Sequence, residues 1–341
     1  MAPRRSLWNA ARLRAKRRRL IYRAWRKRGE LHPVQDRTAA IPPGGILAFT
    51  TLRNEALRLP WFFRHYRALG VAHFIVVDNG SDDGSAAWLA AQPDVSLWTT
   101  QASYKASRFG VDWITWLMAR YGHGHWCLHV DADELLIYPH HETRPLPALT
   151  AALEARAQPA LGALMLDLYP DGPLGAQGYG GGDPTAVLPL FDAGPYRAQW
   201  QPRNGNLWVQ GGARERAFFA DDPGRAPTLN KLPLVKWSWR NVWQNSTHSL
   251  LPPHLNAAYD GPGAAALSGV LLHTKFLPDI TDRARSERVR AQHFHDPAVF
   301  DDYYDAVAEA PVLAHDGSVR FTGWQQLETL GLMSRGGWDG A

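Results

Sequence analysis

The amino-acid sequence predicts an α/β fold in which a mostly parallel sheet is flanked by helices. Between residues 46 and 130, short apolar runs typical of strands alternate with segments of helical periodicity. Polar runs follow three of the apolar runs, at 53–55, 78–85 and 131–134. Strands that alternate with helices form parallel sheets, and their ligands bind beyond the carboxyl ends of the strands. We therefore expect the three polar runs to meet at one edge of the sheet.

The individual strands and helices follow from the length and spacing of their apolar residues. Strands are expected at 46–52, 73–78, 95–100, 125–130 and 269–276. Helices are expected at 57–69, 82–91, 107–122 and 279–294. The stretch from 170 to 235 is rich in Gly, Pro and Trp, and no clear helix is expected in it.

Composition limits the class of protein. The 341 residues are 45% hydrophobic and include 15 Trp, which is typical of a folded globular protein. A single cysteine, Cys127, excludes an intramolecular disulfide. No apolar run reaches the roughly 18–20 residues that span a bilayer, and the N-terminus lacks the apolar core of a signal peptide. We expect a cytoplasmic protein with a basic arm at 1–40, a main domain at 41–310 and a C-terminal extension at 311–341.

Basic residues are concentrated at the N-terminus. Residues 1–28 contain twelve of the 37 Arg and Lys residues and no acid, which leaves 25 basic against 32 acidic residues in the remainder. Such a segment can lie on an anionic membrane surface, here at the inner face of a membrane. The alternative is a solvated arm that binds nothing in particular. No later segment interleaves basic and aromatic residues as an RNA-binding module does, so a nucleic-acid partner is not expected.

Three carboxylates are crowded directly after the apolar run at 125–130. Asp131 and Asp133 are two residues apart, so their side chains point the same way on an extended segment. Carboxylate oxygens are preferred ligands of Mg²⁺ and Mn²⁺, and a bound cation offsets their mutual repulsion. The pair predicts a divalent cation site, with a solvated turn as the alternative. Glu134 is interpreted as a neighbour that caps or braces the turn.

Asp78 ends the second predicted strand, and a Gly- and Ser-rich turn into a helix follows it. Its carboxylate can accept hydrogen bonds from a base or a ribose, and the turn leaves room for a planar group. The alternative is an ordinary strand–turn–helix connection in which Asp82 caps the helix. The sequence contains no P-loop motif, and no GxGxxG fingerprint follows the first strand.

Three motifs in a fixed order carry a family resemblance. The segments "HYRALGV", "FIVVDNGSDDGS" and "HVDADELLIYP" resemble glycosyltransferase family 2-like proteins with a GT-A fold, in particular the subgroup with a "VDxDELL" metal motif. The likeness covers a nucleotide-sugar half at 46–140 and extends to "LLHTKF" in an acceptor half at 141–310. It implies a Rossmann-like sheet and a metal-dependent, inverting transfer of a sugar to a hydroxyl of a carbohydrate acceptor. A UDP-sugar is the expected nucleotide-sugar donor.

The resemblance also implies roles for single residues. Asp131 and Asp133 would hold Mn²⁺ or Mg²⁺ and bridge it to the donor diphosphate, with His273 as a third ligand. His248 is a weaker rival ligand, and Lys275 would contact the donor phosphates. The remaining residues of the donor pocket would be Thr51, Arg53, Glu55, Asp78, Asn79 and Arg108.

The catalytic base is the least constrained assignment. The family usually takes it from an acid C-terminal to the metal motif, and Glu215 is the first choice because a Gly-Gly turn and two arginines surround it. A surface Glu paired with a neighbouring arginine is the alternative reading. Asp167 is the alternative base, and Glu134 is a more distant one. His273 also has a second interpretation, since a lone His on an apolar strand is often a hydrogen-bonded core residue.

Two other functions remain open. A sugar-nucleotide nucleotidyltransferase shares the sheet type and uses carboxylate-bound Mg²⁺. It needs a Gly-rich phosphate loop after the first strand, which "TTLRNEA" lacks. A non-catalytic carbohydrate- or nucleic-acid-binding protein on a decayed transferase fold is the other alternative, and the intact pair of Asp131 and Asp133 argues against decay.

Overall fold

A nine-stranded mixed sheet lies at the centre of the computed structural model, which describes residues 7–284 and 297–338. The strands, in chain order, are β1 (His32–Gln35), β2 (Ile46–Leu52), β3 (Val71–Asp78), β4 (Val95–Thr99), β5 (Trp126–His129), β6 (Glu134–Ile137), β7 (Ala160–Asp167), β8 (Leu190–Asp192), β9 (Tyr196–Gln201), β10 (Asn206–Gly211), β11 (Asn230–Lys236), β12 (Val242–Trp243), β13 (Leu250–Leu251), β14 (Ser268–His273) and β15 (Ser318–Arg320). The helices are α1 (Leu7–Lys27), α2 (Leu59–Ala68), α3 (Ser85–Ala90), α4 (Val111–Tyr121), α5 (Leu146–Ala155), α6 (Gly212–Phe218), α7 (Pro297–Ala308) and α8 (Trp324–Thr329).

The strand order in the large sheet is β1-β4-β3-β2-β5-β11-β7-β14-β6. β2 pairs in parallel with β3 and β5, and β3 pairs in parallel with β4, as the alternation of strands and helices predicts. β11 pairs antiparallel with β5 and β7, and β14 pairs in parallel with β7. The edge strands β1 and β6 are antiparallel to their neighbours. Half of the neighbouring pairs are antiparallel, so the expectation of a mostly parallel sheet is corrected to a mixed sheet.

The inserted strand β11 still leaves most carboxyl ends at one edge. Because β11 is antiparallel to both of its neighbours, β5 and β7 run in the same direction. The carboxyl ends of β2, β3, β5, β7 and β14 therefore lie on the same side of the sheet. The order of strands reverses at β2, because β3 and β4 lie on one side of it and β5 on the other. Such a switch point opens a crevice in which ligands bind.

Apolar side chains cover both faces of the sheet. Along β2, Leu47 and Phe49 belong to one buried cluster, and Ile46 and Ala48 belong to another, as the period of two in a strand requires. α4 contributes to the first cluster, and α2 and α5 contribute to the second. A polar site is therefore expected at the strand ends and not on a face of the sheet.

The predicted helices at 57–69, 82–91 and 107–122 correspond to α2, α3 and α4. α4 begins later than expected because Arg108, Phe109 and Gly110 have φ angles of 55°, 60° and 75°, which interrupt a right-handed helix. Residues 280–284 are helical, in agreement with the start of the helix expected at 279–294. Positions 285–294 of that expected helix lie outside the described residues.

The stretch from 170 to 235 contains more regular structure than its composition predicts. β8, β9, β10 and α6 lie within it, and β11 begins there. α6 follows Gly211, which has a φ angle of 135°, and a Cβ at this position would lie 2.1 Å from the Pro195 carbonyl oxygen. Only glycine fits this turn. The expectation that this stretch contains no clear helix is therefore wrong for α6.

The basic N-terminal segment folds as α1 and packs on the body of the protein. Leu13, Leu20 and Ala24 are buried, and the two leucines form a small cluster with residues of β12 and β13. Arg23 donates a 2.6 Å hydrogen bond to Asp112 of α4. The chain then enters β1, which pairs with β4 at the edge of the large sheet. The first 40 residues thus include both a packed helix and a sheet strand.

The C-terminal segment also contributes to the core. β15 pairs with β8, and Trp324 and Leu327 of α8 belong to the buried cluster that contains Leu47 and Phe49. Among the helices within the described residues, none has the length and apolar character needed to cross a membrane.

Candidate active site

Polar residues gather at the carboxyl ends of the strands. Asp167 is the last residue of β7 and His273 is the last residue of β14, whereas Asp131 and Asp133 lie between β5 and β6. In the register of the sheet, His273 is the Cα partner of Asp167 on one side and of Glu134 on the other. β14 therefore places the imidazole of His273 between Asp167, at the end of β7, and the acidic turn that precedes β6.

Asp133, His273 and Asp167 form a continuous row of interacting side chains. His273 Nε2 lies 3.2 Å from Asp133 Oδ2, and His273 Nδ1 lies 2.6 Å from Asp167 Oδ1. The second oxygen of Asp167 accepts a 2.8 Å hydrogen bond from Arg214 Nε. The N–H and hydroxyl of Thr274 both donate to the Asp133 carbonyl oxygen, at 2.7 and 3.0 Å. The geometry thus unites the predicted ligands Asp133 and His273 with the alternative base Asp167.

The charges in this row shift the pKa of each member. Burial alone would lower the pKa of His273, but the carboxylates of Asp133 and Asp167 outweigh burial and raise it above its usual value. Burial favours a higher pKa for Asp167, yet the charges of Arg214 and His273 dominate and lower it to about 2. The pKa of Asp133 is also held well below its usual range against the effect of burial, chiefly by His273. These surroundings favour an imidazolium between two carboxylates.

Lys231 completes the site and was not among the predicted residues. It is buried on β11, and its Nζ lies 2.9 Å from Glu134 Oε1 and 3.5 Å from Asp131 Oδ2. Burial would lower the pKa of Lys231, but Glu134 and Asp131 raise it overall. Glu134 Oε2 also accepts a 3.2 Å hydrogen bond from the Asp131 N–H, so Glu134 braces the turn. A lone Lys inside the apolar run "NKLPLV" is the sequence signal for such a buried ion pair.

A second ion-pair network borders the turn after β2. Glu55 Oε2 lies 2.8 Å from Arg283 Nη2 and 3.2 Å from Arg58 Nη1. Asp279 binds both nitrogens of the Arg58 fork, at 2.7 and 2.8 Å. Burial raises the pKa of Glu55 despite the two arginines. The network connects the predicted pocket residue Glu55 to residues 280–284, and the sequence pattern assigned a role to neither arginine.

Asp78 is buried at the end of β3, and only one of its oxygens has a partner. Oδ2 accepts hydrogen bonds from the N–H groups of Gly80 and Ser81, at 3.2 and 3.1 Å. Oδ1 is buried and accepts no hydrogen bond from any residue within 7–284 or 297–338. An unpaired buried acceptor is destabilising, so such atoms in native proteins are usually explained by a ligand, an ion or water. Asp78 Oδ1 is therefore suited to accept a hydrogen bond from a ligand.

Thr51, Arg53 and Asn79 lie beside Asp78 but differ in their availability. The Thr51 hydroxyl is buried without a partner among the described residues, and a Cβ added at Gly110 would lie 2.8 Å from it. The Asn79 amide donates to two carbonyl oxygens after β4, at 3.0 and 3.1 Å. Arg53 donates to the Asn79 carbonyl oxygen at 3.2 Å. Thr51 can therefore meet a ligand, whereas the amide of Asn79 holds a loop in place.

The two cations expected near a diphosphate have different surroundings. Arg108 donates to Asp112 at 2.8 Å and to the Trp243 carbonyl oxygen at 3.1 Å, and burial lowers its pKa. Arg108 is therefore committed to α4 and β12. Lys275 Nζ lies 5.7 Å from the centre of the Tyr303 ring and forms no ion pair with the residues that the structure describes. Burial lowers the pKa of Lys275 to about 8, although two nearby carboxylates oppose this shift.

Glu215 lies on α6 and forms a bidentate ion pair. Arg197 binds its two carboxylate oxygens at 2.6 and 2.7 Å. The neighbouring arginines of α6 have other partners, since Arg214 binds Asp167 and Arg216 binds Asp192. The structure thus brings the helix that carries Glu215 to the site through Arg214.

His248, the rival metal ligand, has one ring nitrogen fixed by the backbone. Its Nδ1 donates to the Asn230 carbonyl oxygen at 2.7 Å. Burial lowers the pKa of His248 to about 3, with the charge of Lys231 acting in the same direction. The ring is therefore neutral at physiological pH, and Nε2 carries a lone pair.

The side chains of this site fit a divalent cation only if a ligand shares it. Within the described ranges, no group of three or more His, Cys, Asp or Glu side chains is arranged to hold a metal ion. Fewer protein ligands suffice for Mg²⁺, which is usually bound through one or two carboxylates together with substrate phosphates. Asp133 and His273 offer an oxygen and a nitrogen 3.2 Å apart, and the Asp131 side chain is 48% exposed. This donor set fits a cation that also contacts a diphosphate.

Comparison with known proteins gives no family assignment. A scan against protein-family models finds no match for the chain, and a search of curated proteins finds no similar sequence. Support for a function therefore comes from the three sequence motifs and from the geometry of the site.

Proposed function

We propose that the chain is a metal-dependent glycosyltransferase of the GT-A type that uses a nucleotide-sugar donor. The row of Asp133, His273 and Asp167 at the carboxyl ends of the strands carries this proposal. Metal-binding histidines commonly donate their second ring N–H to a carboxylate, as His273 does to Asp167. Asp78 has a buried oxygen that accepts no hydrogen bond from the residues the structure describes, and it lies near the switch point of the strand order, where ligands of such sheets bind.

Asp131, Asp133 and His273 would hold Mn²⁺ or Mg²⁺. Bound there, the cation would neutralise negative charge on the donor diphosphate. His273 must lose its Nε2 proton to act as a ligand, because an imidazolium has no free lone pair. Asp167 keeps its hydrogen bond to Nδ1 in both states and so holds the ring in one orientation.

The donor would lie between Asp78 and the acidic turn at 131–133. Asp78 Oδ1 would accept a hydrogen bond from the base or the ribose, with the Thr51 hydroxyl beside it. Lys275 would stabilise the negative charge that develops on the leaving diphosphate. Its pKa of about 8 keeps most of the side chain protonated near neutral pH, and a bound diphosphate would raise that pKa.

The transfer also needs a proton acceptor. The acceptor hydroxyl oxygen bonds to the anomeric carbon while the bond from that carbon to the diphosphate oxygen breaks, with inversion. The hydroxyl proton passes to a carboxylate, which we assign to Glu215. Asp167 is less suited to this role, because its pKa of about 2 makes it a weak base and its bonds to His273 and the buried Arg214 favour an orienting function. Glu215 is also paired with an arginine, but the Arg197 side chain is 53% exposed and can turn to solvent.

The proposal is tested by nucleotide binding and donor hydrolysis. UDP-, GDP-, CMP- and dTDP-sugars are offered to the purified chain with Mn²⁺ and with a chelator, and binding is measured by calorimetry. We expect Mn²⁺-dependent binding of one nucleotide and slow hydrolysis of its sugar. Both activities should be lost in the Asp131→Ala/Asp133→Ala variant, because the cation loses its carboxylate ligands.

The matched control is Asp221→Ala/Asp222→Ala, which removes two exposed acids of a loop and should bind nucleotide like the parent. Asp78→Ala should weaken nucleotide binding by roughly tenfold or more, because it removes a charged hydrogen-bond acceptor. Binding that needs no metal and survives Asp131→Ala/Asp133→Ala would refute the assignment of this site.

A further inference from the structure

One side of α1 is exposed along the whole helix. The exposed positions recur every three or four residues, as the positions of one helical face do. They form the outer face of α1, which consists of Leu7, Trp8, Ala11, Arg14, Ala15, Arg18, Arg19, Tyr22, Trp25 and Arg26. The side chains of Leu7, Trp8, Tyr22 and Trp25 are large and apolar or aromatic, and they are 88%, 72%, 58% and 45% exposed. They form two pairs near the two ends of the helix, with exposed arginines between them.

The opposite side of α1 packs on the protein, so the outer face points away from it. Leu13, Leu20 and Ala24 are buried, and Arg23 forms a 2.6 Å ion pair with the fully buried Asp112. The helix therefore has its own apolar stripe packed on the protein, and the aromatic residues of the outer face are not needed for that packing. The outer face is left for a partner outside the described residues.

The charge of the outer face indicates which partner it fits. Arg14, Arg18, Arg19 and Arg26 are exposed, and α1 contains no acidic residue. None of these four arginines forms an ion pair or a hydrogen bond with a side chain that the structure describes, so their charges are directed to solvent. The face is complementary to an anionic surface, and its apolar residues require that this surface also has an apolar layer.

The aromatic geometry favours a lipid bilayer over a nucleic acid. Tyr22 and Trp25 stack with their ring centroids 5.8 Å apart, and the Arg28 guanidinium lies 3.8 Å from the centre of the Trp25 ring. In Tyr22 and Trp25, these contacts occupy ring faces on which nucleic-acid bases would stack. Trp and Tyr are enriched at membrane–water interfaces. Leu7 has an aliphatic side chain, on which a nucleic-acid base cannot stack. The helix of 21 residues gives this surface a length of roughly 30 Å.

We propose that the outer face of α1 binds the surface of an anionic phospholipid bilayer, with the helix lying in the interfacial plane. The apolar and aromatic side chains enter the headgroup region, and the arginines bind lipid phosphates. The proposal is independent of the proposed reaction, because it rests on residues of α1 alone. It places the protein at a membrane through a helix that lies on the bilayer without crossing it.

Vesicle sedimentation of the full chain tests this proposal. Phosphatidylcholine vesicles with and without phosphatidylglycerol are compared at low and high salt. We expect binding only to the anionic vesicles and a strong decrease with salt. Arg14→Gln/Arg18→Gln/Arg19→Gln should weaken that binding by roughly 100-fold, because each of the three arginines contributes a similar part of the free energy of binding to an anionic surface.

Arg64→Gln/Arg156→Gln/Arg225→Gln is the matched control, since it removes the same charge from exposed arginines outside α1 and should bind like the parent. Trp8→Ala/Trp25→Ala should also weaken vesicle binding. All variants change exposed side chains, and unchanged unfolding curves verify that each one is folded.

Equal loss of binding in both triple variants would overturn the proposal, since it would reflect net charge alone. Equal binding of parent and α1 variant would also overturn it. A third contrary outcome is binding to a single-stranded RNA homopolymer, with no binding to anionic vesicles, that depends on Arg14, Arg18 and Arg19.

Discussion

His273 couples the charge of the site to the stability of the fold. Its ring nitrogens lie 2.6 Å from an Asp167 oxygen and 3.2 Å from an Asp133 oxygen. These carboxylates raise the pKa of His273 above its ordinary value of 6.5, against the effect of burial. A group with a raised folded-state pKa contributes stability that is complete below the unfolded pKa and is lost as the pH rises through the folded one.

Relative to His273→Gln, we expect the free energy of unfolding of the chelator-treated protein to fall as the pH rises from 6.5 toward 8, because the folded His273 loses its proton and both ion pairs. Urea unfolding at several pH values measures this slope. The window ends near pH 8 because Lys275, with its pKa lowered to about 8, adds a slope of the opposite sign above that pH.

His273→Gln is the control, because it cannot titrate and should flatten the slope. A slope that persists in His273→Gln would mean that another group causes it. Histidines with lowered pKa values add a slope of the opposite sign that fades within about one pH unit above their unfolded pKa. They are present in both the parent and His273→Gln, so the difference between the two proteins isolates His273. These histidines are His65, His73, His129, His141 and His248.

Lys231 and Glu134 form an ion pair in which both side chains are almost fully buried. Removing one partner of such a pair leaves an uncompensated buried charge. We therefore expect Lys231→Met to lower the free energy of unfolding by about 3–5 kcal/mol. The double variant Lys231→Met/Glu134→Leu should recover most of this loss, because it leaves no unpaired buried charge, and Asp131, which also loses Lys231, is 48% exposed to water.

Urea unfolding of the parent, both single variants and the double variant completes the cycle. Strict additivity of the two single changes would show that the pair is not coupled and would contradict this account of the turn at 131–134.

Helix α1 is held to α4 by the ion pair of Arg23 with Asp112, and to β12 and β13 by a small apolar cluster. Arg23 is the only residue of α1 that binds Asp112 in the described structure, at 2.6 Å. We expect Arg23→Gln to open α1 more often and to speed tryptic cleavage within it by roughly fivefold, since the lost charged hydrogen bond is partly exposed. Mass spectrometry of the early fragments measures the rate.

Arg26→Gln is the matched control, because it removes one tryptic site from the same helix at an exposed position without a described contact. If both variants are cleaved at the same rate, the ion pair with Asp112 does not hold the helix.

The elements that local pattern predicts well are those with uninterrupted apolar runs. β2, β3, β4 and β5 lie where the runs at 46–52, 73–78, 95–100 and 125–130 place them, within two residues. β11 was missed because its sequence "NKLPLVK" contains a proline and two lysines. Its Lys231 is tolerated in the sheet only because Glu134, 97 positions earlier in the chain, lies opposite it. That ion pair is a tertiary contact, so it cannot be predicted from local sequence.

The order of the strands in the large sheet brings the residues of the candidate site together. The convergence of Asp78 with Asp131 and Asp133 could be predicted, because alternating strands and helices place their carboxyl ends together. The contact between Asp167 and His273 could not, because these residues are 106 positions apart and meet only through the pairing of β7 with β14. Lys231 and Arg58 likewise have partners far away in the chain, Glu134 and Asp279. Local sequence thus predicts which strand ends carry the acids of the site. The cations that pair with these acids come from distant parts of the chain and could not be predicted.

The pairing of β14 with β7 also makes assembly of the site a measure of correct folding. His273 meets Asp167 only when its Cα is opposite that of Asp167 in the parallel register. A shift of one residue would turn the imidazole to the other face of the sheet and bring Leu272 or Thr274 beside the acid. Such a chain could be compact and still lack the acid–imidazole–acid row. Misfolded molecules would therefore be silent in any assay of the site, and the active fraction of a preparation would report the fraction of chains in the correct register.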